Sequence, residues 1–123
     1  MKRKRNLIKE YFQSWITNDP KCIENMFDNN VVYIECYGPI YKGKEQILKW
    51  FNNWNKKGKV LIWDIKDIKK KDSKYFVEWY FKCRYEGNEN GFDGISIIEF
   101  NKNNKIKSVK EFQSKAEHYY PYE

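Results

Sequence analysis

Leu7, Ile8, Tyr11, Phe12, Trp15 and Ile16 recur at helical spacing and predict a first helix over residues 4–17 with one apolar stripe. Asn18-Asp19-Pro20 ends it and starts another. Asp19 suits a cap, and Pro20 suits a first turn, where a missing N–H costs nothing. Ile23, Met26 and Phe27 give this short second helix its inner face. Asp28-Asn29-Asn30 reads as a turn, and the β-branched and aromatic residues 31–36 as a strand. Gly38-Pro39 turns the chain into a short return strand, residues 40–42. Ile47, Leu48, Phe51 and Trp54 restore the helical period over residues 44–55, with Trp50 beside them. Lys57-Gly58 closes that helix, with glycine in the usual C-terminal position.

Everything afterwards reads as strand and turn: strands over 59–68, 74–86, 92–100 and 105–117, with connections at 70–73, 87–91 and 101–104. Between residues 74 and 86 the alternation is unusual, because both faces carry rings. Tyr75, Val77, Trp79, Phe81, Cys83 and Tyr85 lie on one face; Phe76, Glu78, Tyr80, Lys82 and Arg84 lie on the other. Three helices gathered before an antiparallel meander predict an α+β fold with helices on one face of a curved sheet. The second face either meets another copy of the chain or shields a solvated sheet.

The 123 residues make one domain, residues 1–123, large enough for a single core. Mean hydropathy is −0.95, yet 23 aromatic rings exclude a disordered chain. Net charge is +7, but Lys2, Arg3, Lys4 and Arg5 supply four of it as an expected mobile basic arm. Lysines number 21 and arginines 3, a balance that argues against a reader of base edges, so no nucleic-acid partner is expected. Cys22, Cys36 and Cys83 are odd in number and widely spaced, which fits a reduced, cytoplasmic protein with buried thiols. No apolar run follows the basic start, so neither a signal peptide nor a membrane span is expected. A single histidine, His118, leaves no His-rich metal site; it reads as a surface residue or a lid contact near the aromatic tail of residues 118–123. Asp93, near a turn, reads as solvated.

Three stretches carry a family resemblance: Tyr11-Phe12-xx-Trp15-xxx-Asp19 with Met26-Phe27-Asp28-Asn29-Asn30-Val31; Gly38-Pro39-Ile40-Tyr41-Lys42-Gly43-Lys44-xx-Ile47-xx-Trp50-Phe51; and Gly94-xxx-Ile98-x-Phe100 with Lys105-Ile106. Together they resemble the nuclear transport factor 2-like (cystatin-like) superfamily, SnoaL-like branch, over residues 7–115. That resemblance implies a cone: a strongly bent, mostly antiparallel six-stranded sheet wrapped around the helices, with a pocket at the open end. Relatives include ketosteroid isomerase, polyketide cyclases, scytalone dehydratase, limonene epoxide hydrolase and non-catalytic binding proteins. It also implies no common cofactor, homodimers through the convex sheet face, and a small apolar or aromatic ligand.

Against ketosteroid isomerase, Glu35 falls on the general base and Tyr11 on the tyrosine that donates to the oxyanion. Ser96 falls on the second donor, an aspartic acid in that enzyme; a serine donates but lacks the acidity of a protonated carboxyl. Glu111 falls on a pocket-facing position where some relatives carry an acid. Trp79, Phe81 and Cys83 fall on the apolar wall, and Trp15, Tyr33, Trp50, Trp54, Trp63 and Ile98 complete the candidate lining. On the residues alone, each of these has a plainer reading. Glu35 is either a buried base or an ion-pair partner of a lysine. Glu111 either shares the pocket with it, supplying an acid and a base, or pairs with Lys107 or Lys110. Tyr11 either donates to a ligand or packs with its hydroxyl satisfied internally. The five tryptophans either fill the core or line a slot for a ring-containing ligand. Two functions follow: cofactor-free proton transfer of isomerase, dehydratase or cyclase type, or a non-catalytic binding or interaction module.

Overall fold

A computed structural model describes residues 2–123. Helices α1 (Lys2–Thr17) and α2 (Lys21–Met26) lead into strands β1 (Phe27–Ile34) and β2 (Ile40–Lys42). Helix α3 (Lys44–Lys57) follows, then β3 (Gly58–Lys71), β4 (Lys74–Tyr85), β5 (Asn88–Phe100) and β6 (Ile106–Gln113). The six strands form one sheet in the order β2-β1-β6-β5-β4-β3. Every pairing is antiparallel except β1 with β6, which is parallel. The architecture is the expected α+β class, a mostly antiparallel, curved six-stranded sheet with its helices in the N-terminal half. Register shifts interrupt β3 twice, between Val60 and Ile62 and between Ile65 and Asp67. Such irregularities bend a strand, and here they curl the long strands around the helices.

Helix α1 lays Ile8, Tyr11, Phe12 and Trp15 into the concave face. From β4 that face presents Tyr75, Val77, Trp79 and Cys83, all buried, as the alternation predicts. Helix α3 closes the cone against β1 through Ile47 and Phe51. The convex face carries Phe76, Ile95, Ile97 and Phe112 around a shallow groove of about 530 Å3.

Several expectations change. The basic residues 2–5 are the first turn of α1, not a mobile arm. Arg5 Nη1 donates to Ile68 O at 2.7 Å, its guanidinium lies over the Tyr75 ring, and Lys4 lies over Phe100. The sheet end gives these cations carbonyl and ring partners that sequence periodicity does not reveal. Asp28-Asn29-Asn30 lies inside β1. Asp28 Oδ1 accepts the Asn30 N–H at 2.8 Å, and the pairing with β6 slips between Phe27 and Val32, so the turn chemistry makes an irregularity rather than an end. The loop expected over 87–91 contracts to Glu86-Gly87, both with positive φ, and β5 starts at Asn88. Strand β6 ends at Gln113, where Ser114 Oγ turns to accept the Asp93 N–H and donate to Ala116 O. Gly58 has extended φ (−142°) and opens β3. Glycine is needed there for space: a Cβ would lie 2.6 Å from the Tyr85 ring. Asp93 is partly buried, bonded to Lys66 and 2.9 Å from His118. All three cysteines are free; Cys83 is buried, whereas Cys22 and Cys36 are only partly so. No helix among the described residues is long and apolar enough to cross a membrane.

Candidate functional site

Strand β1 ends one residue before Glu35, and a tight turn fixes that residue. Its N–H donates to Pro39 O at 2.9 Å, and its carbonyl accepts from Gly38 at 3.0 Å. Val31, Tyr33 and Glu35 therefore share the concave face at the two-residue period of the strand. Glu111 reaches the same space from β6, placed by the parallel register Tyr33↔Val109 and the antiparallel pair Ser96↔Glu111.

Two side-chain relays converge on Glu111. Trp15 Nε1 donates to Tyr11 Oη at 2.9 Å, Tyr11 donates to Tyr33 Oη at 2.7 Å, and Tyr33 donates to Glu111 Oε2 at 2.7 Å. On the other side Trp79 Nε1 donates to Ser96 Oγ at 2.9 Å, and Ser96 donates to the same Oε2 at 3.3 Å. Burial raises the Glu111 pKa to about 7; the nearby Glu35 charge pushes in the same direction, and the Tyr33, Ser96 and Cys36 donors hold it back. Glu35, 9% exposed, is also raised to about 7 by burial, opposed only by the Tyr41 hydroxyl that donates to its Oε1 at 3.3 Å. Neither carboxylate has a lysine or arginine partner among the described residues. The ion-pair readings of both are therefore not realised: Lys107 and Lys110, the candidate partners of Glu111, are exposed on β6 while Glu111 is buried.

The carboxylates meet at a narrow inner chamber of about 40 Å3, room for a water molecule or so. All five tryptophans wall it, with Tyr33 and Phe81. Much of the cone is filled by their mutual packing: Trp15 lies 4.8 Å from Trp50 between ring centroids, and Phe12 stacks on Trp63 at 3.9 Å. Trp63 Nε1 is buried without a hydrogen-bond partner in the protein, a rare state for such a group.

Outside the chamber lies a vestibule of about 1120 Å3, with Glu35, Tyr37, Trp50 and Trp54 shared between the two spaces. Tyr41 stacks on Trp50 at 4.6 Å, and Tyr85 faces Trp54 at 5.4 Å. Helix α3 supplies one wall and the Glu86-Gly87 hairpin the other.

The structure thus brings Glu35 and Glu111 together, with Trp15, Tyr33, Trp50, Trp54, Trp63, Trp79 and Phe81 around them. Cys83 lines the vestibule instead. Ile98 lines neither space and packs in the core. Tyr11 and Ser96 stand behind the wall, their hydroxyls already donated to Tyr33 and Glu111. Sequence reasoning missed Tyr41, Tyr37 and Cys36, which border the carboxylates. Tyr33 was expected only as a wall, although its spacing two residues before Glu35 was the signal that it faces the same space.

In shape, the chain is similar to a Catenulispora acidiphila protein with a ketosteroid isomerase-like fold, solved with trimethylamine: TM-score 0.78, 15% identity, 89% of this chain and 85% of that one. It is similar to a proposed polyketide cyclase of Xanthomonas campestris pv. campestris: TM-score 0.77, 14% identity, 92% and 91% covered. It also resembles an LEH-like epoxide hydrolase of M. tuberculosis: TM-score 0.79, 9% identity, 89% and 76% covered. No protein of curated function matches it in sequence. At such identities these likenesses speak for the fold alone. The family model for the SnoaL-like domain matches residues 8–109. With the sheet order and the helix-filled concave face already in agreement, the chain belongs to the SnoaL-like domain family.

Proposed function

We propose that this protein binds a small, ring-containing, mostly apolar molecule with its reactive end at Glu35, and moves a proton on it by acid–base chemistry of isomerase, dehydratase or cyclase type. One observation carries the reading. Glu35 is a buried carboxyl without a cation, raised to about 7, at the junction of the chamber and the vestibule. A carboxylate with that affinity for protons abstracts one from a carbon acid near neutral pH far better than an ordinary surface glutamate. Glu111 is the second acid of the pair, and its raised pKa supports a role as proton store. Tyr11 and Ser96 act on the ligand only through Tyr33 and Glu111, because their own protons are committed. The uncommitted N–H of Trp63 is the donor best placed by its chemistry to hold a ligand oxygen. The apolar convex groove supports the homodimer expected of the fold.

Glu35→Gln tests the assignment. Turnover on whichever substrate a screen identifies should fall at least a thousandfold, with ligand affinity kept within about threefold. The wild-type rate should rise with pH through about 7 as Glu35 ionises. Unchanged turnover in the variant removes Glu35 from the chemistry.

A second reading rests on the narrowness of the chamber. Five tryptophans leave it about 40 Å3, which favours a non-catalytic binding or interaction module of the same fold. In that case Glu35→Gln and wild type bind the same partner equally and neither turns anything over.

A further inference from the structure

The vestibule carries a chemical signature that the two carboxylates do not explain. On α3, Lys49, Lys56 and Lys57 line its wall; Lys56 stands two turns beyond Lys49, and Lys57 follows it at the end of the helix. None of the three forms an ion pair among the described residues, whereas Lys66, Lys69, Lys82 and Arg84 each do. The acids that line the same space are Glu35, raised to about 7, and Glu86 on the opposite hairpin. Close to neutral pH the wall is therefore net positive. Lysines in the last turn of a helix also complement its carbonyl end, which accounts for Lys56 and Lys57 but not for Lys49. The two ring pairs Tyr41–Trp50 and Trp54–Tyr85 line the same space as the lysines and Glu35. The volume, about 1120 Å3, exceeds what a single ring fills and reaches the upper end of ordinary ligand pockets, roughly 300–1,000 Å3.

We infer that the ligand of this site is a planar ring compound bearing an anionic tail, a carboxylate or a phosphate. Its ring lies against Trp50 and Trp54, its reactive end reaches Glu35, and its anion rests on Lys49, Lys56 and Lys57. The inference builds on the pocket reading above and adds the charge of the ligand. It also gives the lysines a second task, since a positive mouth raises the encounter rate of an anion at low salt.

The test is calorimetric titration of the full chain at pH 7 and low salt with four probes of one ring size: 2-naphthoate, 2-naphthyl phosphate, 2-naphthamide and 2-naphthylmethylammonium. The two anions should bind at least tenfold tighter than the neutral amide, and the ammonium probe weakest. The triple variant Lys49→Gln, Lys56→Gln, Lys57→Gln should lose that preference while keeping the affinity for the amide within about twofold. Whichever anion depends more strongly on the lysines identifies the tail. Equal binding of amide and anions, tightest binding of the ammonium probe, or a preference that survives in the triple variant overturns the inference and leaves the apolar pocket standing. Failure of all four probes to bind overturns both. Circular dichroism of the variant, whose three exposed substitutions leave the core untouched, separates loss of charge from loss of fold.

Discussion

The Tyr33 hydroxyl sits between two buried partners, accepting from Tyr11 at 2.7 Å and donating to Glu111 Oε2 at 2.7 Å. Burial and the Glu111 charge raise the Tyr33 pKa well above that of an ordinary tyrosine. Tyr33 therefore keeps its proton across the physiological range and acts as a fixed donor. It ties the helix stripe to the carboxylate pair.

Tyr33→Phe should cut this tie. Tyr11 would be left with a buried hydroxyl lacking its acceptor, and Glu111 would lose a donor that favours its charged form. A buried group deprived of its partner costs about 1–3 kcal/mol, so urea unfolding should show a loss of that order. The Glu111 titration, followed by carboxyl carbon NMR, should move upward from about 7. A titration that stays put or falls would mean the hydroxyl does not hold the carboxylate.

The same pair sets a pH dependence of stability. Glu35 and Glu111 are both raised from 4.5 to about 7 in the folded chain. The folded state thus holds protons that the unfolded state has released between pH 4.5 and 7. Stability from each group is fully present below about pH 4.5 and is lost as pH rises through 7. The urea midpoint should therefore fall from pH 5 to pH 8, and Glu111→Gln, which stays neutral, should remove a large part of that fall. An identical slope in the variant would show that Glu111 titrates as an ordinary exposed acid.

Periodicity made much of the cone legible. The stripe Ile8, Tyr11, Phe12, Trp15 and the β4 residues Tyr75, Val77, Trp79 and Cys83 lie inside as the periods predict, while Phe81 and Tyr85 of the same face are only half-buried. The site was legible only in part. Glu35 and Tyr33 belong to one strand face, so local spacing reveals their company. The meeting of Tyr33 with Glu111 spans 78 residues and depends on the parallel pairing of β1 with β6. No local pattern encodes that register. The commitment of the Tyr11 and Ser96 protons is equally non-local, since it depends on which hydroxyl each meets across the cone. Cavity size was out of reach as well: five tryptophans fit a filled or a hollow cone equally until their tilts are known.

The docked N-terminal turn gives a further expectation. Arg5 bonds Ile68 O and covers Tyr75, so Arg5→Ala should lower the unfolding midpoint by an amount equivalent to ~1 kcal/mol. Arg5→Lys should recover only part of it, because an ammonium lacks the planar fork and stacking face of the guanidinium. Thermal unfolding of the three proteins checks this. Equal midpoints would return residues 2–5 to the status of a free arm.

Gly94 gives the most local expectation. It pairs with Trp79 across β4 and β5, and the Trp79 indole crosses directly over it. A Cβ at this position would overlap the six-membered ring of Trp79 and lie 2.5 Å from Phe112 O. The carbonyl belongs to the ladder and cannot yield, so the indole must move. Trp79 Nε1 would then leave Ser96 Oγ, and one of the two relays that end on Glu111 would open. Gly94→Ala should therefore destabilise the fold by roughly 1–3 kcal/mol, as overpacking does. It should also shift the Glu111 titration, which a purely steric cost elsewhere in the sheet would leave alone. The control is Gly87→Ala, at a hairpin position where nothing lies within 4 Å of the added carbon but φ is +84°. That variant should lose stability through its backbone alone and leave Glu111 unmoved. If both variants left the Glu111 titration unchanged, Trp79 would not be holding Ser96 in place.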